Sequence, residues 1–295
     1  MTPPGTSAHP EYGCSGLIVI CTKDRPKEIR MSCESAHQAS PGKPILVLDA
    51  SINGATEHAC RQIAACDQSR RLLIYRRAIR PGLARQRNEA VGTSRALNAR
   101  IIHFIDDDTE VRTGYFDAIE RRFDADPGLM GVGGVVVNQP AVNYVKLKRL
   151  FLLGSNQRGS VLRSGRNVLG QYPGTADTDR VDWLSGCSMS FRSTVFDEFA
   201  FDDELEDYSM GEDYDFSFRV SRDYRLAVEP GATCIHHATP TRRDSVRSRA
   251  RERTQATHRW VGCHRELGMS QVAFWWSTLG DFVLHLAHGA LRAER

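Results

Sequence analysis

The stretch IIHFIDDDTEV, residues 101–111, decides the fold of this chain. Apart from His103, its first five residues are apolar strand formers, which predicts a strand buried on both faces. Asp106, Asp107 and Asp108 follow without a spacer. Three carboxylates at one edge of a sheet raise one another's pKa and require a compensating cation. Mg²⁺ or Mn²⁺ suits such oxygen ligands, whereas an acidic turn after a strand is the simpler alternative.

The composition is that of an ordinary soluble protein, with 41% hydrophobic and 25% charged residues among 295. A net charge of +3 is too small to indicate a nucleic-acid partner. The eight cysteines form no CxxC pair and show no zinc-ligand spacing, which indicates free thiols in a reducing compartment. We see no secretory signal and no apolar stretch of about 20 residues, and therefore expect a cytoplasmic protein.

Strands and helices alternate along the first half of the chain. Strands are predicted at 17–21, 45–48, 72–75 and 101–105, and helices at 27–39, 56–66 and 82–98. This alternation predicts βαβ units and a mostly parallel sheet, in which ligands bind beyond the carboxyl ends of the strands. We therefore expect Asp49, the segment 22–25 and the triplet 106–108 to meet at one edge of the sheet.

The second half is less regular. A helix is predicted at 113–125, a strand at 131–137, a long excursion over the active face at 139–180, and strand character at 181–191. GEDYDFSFRV, residues 211–220, predicts a helix whose first turn carries Glu212, Asp213 and Asp215. Such acids can serve as a helix cap, but a cap explains one of them better than three. A short last strand is predicted at 225–228, followed by a turn at 230–231.

These motifs, in this order, resemble the family-2 glycosyltransferases with the GT-A fold over roughly residues 16–240. The matching pieces are CTKDRP (21–26), LDAS (48–51), GLARQRN (82–88), FIDDD (104–108), WLSGCSMSFR (183–192), GEDYDFSFRV (211–220) and a late histidine. The resemblance implies an α/β fold with a Rossmann-like, mostly parallel sheet flanked by helices. It also implies an inverting transfer of a sugar from a nucleotide-diphosphate sugar, with UDP or dTDP favoured, to a hydroxyl of a saccharide, lipid-linked or small-molecule acceptor.

The resemblance also implies site residues. Nucleotide and donor contacts would come from Thr22, Arg25, Asp49, Arg87, Asp106 and Asp107. Trp183, Gly186 and Glu212 would shape the acceptor and sugar pocket, and Asp213 would be the general base. A Mn²⁺ or Mg²⁺ cofactor would be held by Asp108, Asp106 and His236, although the adjacent His237 is an alternative ligand.

We expect the chain to divide into a mobile tail at 1–15, a glycosyltransferase domain at 16–240 and C-terminal helices at 241–295. Residues 242–265 include eight arginines, and residues 269–291 place aromatic and aliphatic side chains at helical spacing. An arginine-rich segment beside an amphipathic helix suits peripheral contact with an anionic membrane, here the inner membrane face. The alternative is that this helix packs on its own domain or on a second subunit in a homodimer.

Two other classes of protein share part of this pattern. Phosphatases of the haloacid dehalogenase type also place an Asp-x-Asp element after a strand, but normally after the first strand, and Glu110 does not suit their motif. A non-catalytic nucleotide-sugar-binding scaffold is the second alternative, because folds outlive activities. The acids Asp108 and Asp213 argue against a scaffold.

Overall fold

The computed structural model describes residues 14–66, 72–140, 146–174, 178–204, 211–239 and 246–293. The strands are β1 (Gly16–Thr22), β2 (Ile45–Asp49), β3 (Leu73–Arg77), β4 (Ile101–Asp106), β5 (Thr109–Val111), β6 (Leu129–Val136), β7 (Thr178–Val181), β8 (Met189–Arg192) and β9 (Arg225–His236). The helices are α1 (Pro26–Ala39), α2 (Ala55–Cys66), α3 (Leu83–Ala96), α4 (Tyr115–Ala125), α5 (Lys146–Leu150), α6 (Glu212–Asp223), α7 (Val246–Cys263) and α8 (Gln271–Ala293). Most of the predicted mobile tail, residues 1–13, lies outside the described residues.

Within the described residues, the nine strands form one sheet in the order β3-β2-β1-β4-β8-β6-β9-β5, with β7 beside β9. The strands β3, β2, β1 and β4 are parallel, as predicted. Beyond β4 the prediction of a mostly parallel sheet is wrong, because β8 runs antiparallel to both β4 and β6. The sheet is therefore mixed, and only β6 and β9 pair in parallel in this second half.

Helices cover both faces of the sheet, so alternate residues of the central strands enter two different cores. Ile18 and Ile20 of β1 pack with α1, α2 and α4. Leu17 and Val19 of the same strand pack with α3 and α6 on the other face. All four side chains are fully buried. This burial on both faces explains why these strands appear in the sequence as continuous apolar runs.

The last strand is longer than predicted. The expected turn at Pro230 and Gly231 is wrong, because β9 continues through them to His236. The register against β6 shifts at this point: Gly134 pairs with Glu229 and Val135 with Thr233. A proline is tolerated in such a bulge because no ladder hydrogen bond is required of it. The extended end of β9 pairs with β5, a three-residue strand that the sequence analysis did not predict.

The C-terminal helices pack on the rest of the chain. A small buried cluster joins Phe218 of α6 to Val261 of α7, to Met269 in the connection between α7 and α8, and to Phe274 of α8. Asp215, the third acid of GEDYD, accepts a hydrogen bond from Trp260 Nε1 at 2.8 Å and so fixes α7 against α6. Among the described residues, no helix is both long enough and apolar enough to cross a bilayer.

Candidate active site

Strand pairing brings two acids and a histidine together. Asp106 ends β4, and Thr109 of β5 pairs with His236 of β9, so His236 lies next to the acidic triplet. His236 Nε2 is 3.1 Å from Asp108 Oδ1 and 3.8 Å from Asp106 Oδ2. One ligand atom from each of these three residues lies within 4.8 Å of the others, and two carboxylates with one imidazole form a donor set that suits Mn²⁺.

The geometry separates the two candidate histidines. His236 faces Asp106 and Asp108, whereas His237 Nε2 contacts Glu110 Oε2 at 3.1 Å. His236 is the last residue of β9, whereas His237 lies just beyond the strand, where its backbone N–H donates to the carbonyl of Asp108 at 3.0 Å. His236 is therefore the histidine that belongs to the cluster.

Asp107 and Asp108 are held by residues at and just after the end of β1. Thr22 donates a hydrogen bond to Asp107 at 2.7 Å. Arg25 donates to Asp107 at 2.6 Å and to Asp108 at 3.0 Å. These contacts confirm that the CTKDRP segment and the triplet meet at one edge of the sheet, because β1 and β4 are parallel neighbours.

The surroundings of the three acids shift their pKa values in different directions. Burial raises the pKa of Asp107 to about 7, although Arg25 and Thr22 oppose the shift. Burial also raises the pKa of Asp106, against the attraction of Arg87. For Asp108, burial acts to raise the pKa, but His236, the backbone N–H of Thr239 and Arg25 together outweigh burial and lower the pKa. At His236, burial acts to lower the pKa, but the interactions with Asp108, Cys187 and Asp106 together raise it to about 11, so Asp108 and His236 form an ion pair.

A cleft of about 330 Å³ opens on this cluster. We call it the donor-side cleft, after the donor contacts that the sequence resemblance implies for Thr22 and Arg25. It is lined by Cys21, Thr22, Lys23, Arg25, Gly82, Leu83, Gln86, Asp106, Asp107, Asp108, His236, Ala238 and Thr239. Gln86 was not singled out in the sequence, although it lies in the GLARQRN motif. Its amide donates to the carbonyls of Thr22 at 3.2 Å and Leu48 at 2.8 Å, which fixes the start of α3 against the strand ends.

Arg87 lies behind the donor-side cleft and links it to α6. Its side chain is only 2% exposed; Nη1 donates to Glu212 at 2.5 Å and Nη2 to Asp106 at 3.4 Å. Burial would lower the pKa of Arg87, but the carboxylates of Glu212 and Asp106 raise it, so the guanidinium stays charged. Burial raises the pKa of Glu212 to about 8 in spite of this partner.

Asp213 lies on a second cleft of about 480 Å³. We call it the acceptor-side cleft, after the acceptor pocket that the sequence resemblance implies for Trp183 and Glu212. Its carboxylate accepts hydrogen bonds from the backbone N–H groups of Gly186 at 2.6 Å and Tyr214 at 2.8 Å. Other walls come from residues 165–169, Trp183, Glu212 and the α7 residues Arg253, Ala256, Thr257 and Trp260. A contribution of α7 to this cleft was not predicted from the sequence. The two clefts are neighbours, because Arg87 contacts Asp106 in one and Glu212 in the other.

Two residues with predicted binding roles are largely buried. Asp49 is fully buried and does not line the donor-side cleft. Its carboxylate accepts hydrogen bonds from Ser51 and, at 2.8 Å, from Tyr75. Trp183 lines the acceptor-side cleft but is 9% exposed, and its Nε1 donates to the carbonyl of Val168 at 3.0 Å.

Residues 17–190 match the profile of glycosyl transferase family 2. The chain belongs to this family. No curated protein sequence matches the chain. The family match covers the acidic triplet and the GLARQRN segment but ends before Asp213 and His236, which the fold alone brings to the site.

Solved structures similar to this family-2 glycosyltransferase agree with the match. GalNAc-T7, solved with UDP, GalNAc and Mn²⁺, has a TM-score of 0.59 at 15% identity over 77% of this chain and 44% of its own. The mannosyltransferase PcManGT from Pyrobaculum calidifontis, in complex with GDP-Man and Mn²⁺, has a TM-score of 0.59 at 17% identity over 97% of this chain and 74% of its own. S. aureus TarS 1–349 has a TM-score of 0.51 at 14% identity over 72% and 57%.

These likenesses show the fold. The α/β fold of the GT-A type, predicted from the sequence, is confirmed. The expectation of a divalent-metal site is likewise confirmed by the Asp106–Asp108–His236 cluster, and two of the similar structures hold Mn²⁺. The chain spans less than half the length of GalNAc-T7, so that protein's full activity does not transfer with its fold.

Proposed function

We propose that this glycosyltransferase moves a sugar from a nucleoside-diphosphate sugar to a hydroxyl of an acceptor, with inversion and with Asp213 as general base. The observation that carries the proposal is the pair of adjoining clefts. One cleft holds the metal-ligand cluster, and the other holds the Asp213 carboxylate, whose orientation is fixed by two backbone N–H groups. An inverting displacement requires a leaving group on one side of the reacting carbon and a base on the opposite side.

The donor-side cleft suits a nucleoside diphosphate. Thr22, Arg25 and Asp107 lie at its wall, and the GLARQRN helix begins there. UDP and dTDP donors are our first choice, and the similar structures hold UDP in one case and GDP-Man in another. Asp49 would act indirectly, by holding the end of β2 through Ser51 rather than by touching the nucleotide.

Asp106, Asp108 and His236 would hold Mn²⁺ or Mg²⁺. When bound, the cation neutralises the negative charge that develops on the departing diphosphate. The charged guanidinium of Arg87 supports the same region from behind, because it fixes Asp106 and Glu212 in place.

Asp213 would take the proton of the acceptor hydroxyl. Two N–H donors hold its carboxylate toward the acceptor-side cleft and leave lone pairs for a substrate proton. A positioned carboxylate base contributes about 10²–10⁴-fold in rate. Trp183, Tyr214 and Trp260 add ring surface to the same cleft, which suits a saccharide or lipid-linked acceptor with apolar faces beside its hydroxyls.

The position of Asp106 argues against a phosphatase of the haloacid dehalogenase type. Its nucleophile would be Asp106, which lies on β4 rather than β1 and contacts Arg87 and His236. A non-catalytic scaffold would bind the donor without turnover.

Thermal unfolding of the intact chain with UDP-, dTDP- and GDP-sugars, each with and without Mn²⁺, tests the donor proposal. We expect a rise in Tm that requires both a nucleotide sugar and Mn²⁺. The same mixtures, assayed for nucleoside diphosphate released with candidate acceptors, separate an enzyme from a scaffold. No Mn²⁺-dependent shift with any of the three donor classes would contradict the proposal.

A further inference from the structure

Helix α8 exposes an apolar face on the outside of the molecule. The exposed side chains are Val272, Trp275, Trp276, Leu279, Phe282, Val283 and Leu286. Their exposed fractions range from 42% at Val283 to 80% at Val272. Spacings of three and four residues put them on one side of the helix. A surface helix normally turns polar residues to water, so this face requires a partner.

The opposite side of α8 already packs on its own chain. Phe274 is 1% exposed and Ser277 is fully buried. Gly280 lies directly against the side chain of Phe151, where a larger residue would not fit. Helix α8 therefore cannot rotate its outer apolar side chains inward without losing these contacts. The predicted packing of this helix on its own domain is correct for one face and leaves the other uncovered.

Helix α5 extends the apolar face and adds positive charge. Trp276 Nε1 donates to the carbonyl of Leu150 at 2.9 Å, and the Trp276 and Phe151 rings are 5.2 Å apart, so α5 lies beside α8. Leu147 and Leu150 are 48% and 63% exposed. The other three residues of α5 are Lys146, Lys148 and Arg149, and α5 has no acid. We call the α5 residues and the seven exposed α8 residues the α5–α8 surface.

The one acidic residue of α8 is paired with a cation. Asp281 is on α8, but it lies off the apolar stripe and pairs with Arg166 at 3.1 Å. The α5–α8 surface thus combines exposed tryptophans, exposed aliphatic side chains and an excess of cations. Tryptophan favours the headgroup level of a bilayer, and each lysine near an anionic surface adds attraction.

We propose that the α5–α8 surface binds the interface of an anionic lipid bilayer, with α8 lying in the membrane plane. This mode fits a helix with a wide apolar face, and none of the described helices could span the membrane instead. A second copy of the chain fits less well. A twofold interface places the same surface against itself and would bring the cations of α5 toward those of the other copy. The inference goes beyond the proposed function, because lipid binding requires neither donor nor transfer.

Flotation of the intact chain with vesicles tests the proposal. We expect binding to phosphatidylcholine vesicles that contain phosphatidylglycerol, and weaker binding to phosphatidylcholine alone. Lys146→Gln with Lys148→Gln should lower binding to the anionic vesicles about 30-fold, at about fivefold per lysine, and leave neutral vesicles unaffected. The matched control, Arg61→Gln with Arg121→Gln, removes two cations elsewhere and should bind as wild type.

The apolar contribution is tested separately. Leu279→Ser with Phe282→Ser should lower binding to both kinds of vesicle by at least about tenfold, because apolar burial does not depend on lipid charge. Leu72→Ser with Ile79→Ser removes exposed apolar side chains outside the surface and is the control. Equal flotation of wild type and the Leu279/Phe282 variant, with equal Tm values, would overturn the proposal. The proposal would also be overturned if, without lipid, the wild-type chain sedimented as a dimer and the Leu279/Phe282 variant sedimented as a monomer.

Discussion

Replacing Gly186 by alanine should damage both the fold and the reaction. A Cβ at this position would lie 2.7 Å from Arg87 Nη2 and 3.2 Å from Asp213 Oδ2. To reach ordinary contact at 3.4 Å, the guanidinium would have to move about 0.7 Å, the difference between 3.4 and 2.7 Å. It cannot do so freely, because Nη1 is 2.5 Å from Glu212 and the rings of Phe104 and Phe201 lie beside it.

Overpacking of this kind costs about 1–3 kcal/mol, and we expect about 2 kcal/mol in the free energy of unfolding. Because the Cβ also displaces Asp213, and a misplacement of about 1 Å can cost about 10²-fold, we expect kcat to fall by a similar factor. Urea unfolding and steady-state transfer rates measure the two effects.

Gly92→Ala is the matched control. Gly92 lies in the middle of α3 with open space around it, so alanine should stabilise the chain by about 0.5–1 kcal/mol and leave the rate unchanged. A Gly186→Ala variant with wild-type stability and rate would refute the reasoning that the loop 182–188 holds Arg87 and Asp213 at close range.

The remaining predictions concern metal binding and acid stability. Asp108→Ala should abolish the Mn²⁺-dependent rise in Tm with a nucleotide sugar, whereas His237→Ala should retain it; an unchanged Mn²⁺ requirement in the Asp108 variant would exclude this ligand. At Glu120, burial acts to raise the pKa, but hydrogen bonds from His103 and Lys43 outweigh it and lower the pKa from 4.5 to about 2. Its stabilising contribution is therefore complete above pH 4.5 and is lost as the pH falls toward 2. Glu120→Gln should cost about 2 kcal/mol at pH 7 and much less at pH 3, measured by urea unfolding; equal losses at both would contradict this assignment.

The first half of the sheet and its acidic edge could be predicted because the sequence signals are local. Apolar runs buried on both faces, followed at once by Thr22 or Asp106, fix both the strands and the end at which the polar residues gather. Parallel pairing then aligns those ends without further information.

The parts that could not be predicted depend on contacts between distant segments. Strand β5 is three residues long and exists through its pairing with β9, and that pairing in turn selects His236 over His237. The α7 wall of the acceptor-side cleft depends on the bond from Trp260 to Asp215, 45 residues earlier. Asp49 could be placed at the correct edge, but its burial under Ser51 and Tyr75 is a matter of side-chain packing that the motif does not encode.

The transfer rate of Asp213→Asn, measured beside its Mn²⁺-dependent donor binding, tests the central claim most directly. Asp223→Asn, at the exposed end of the same helix, is the control and should behave as wild type. We predict that Asp213→Asn lowers kcat by about 10²–10⁴-fold while the Tm shift with the nucleotide sugar is retained. Turnover near the wild-type rate in this variant would contradict the assignment of Asp213 as the base.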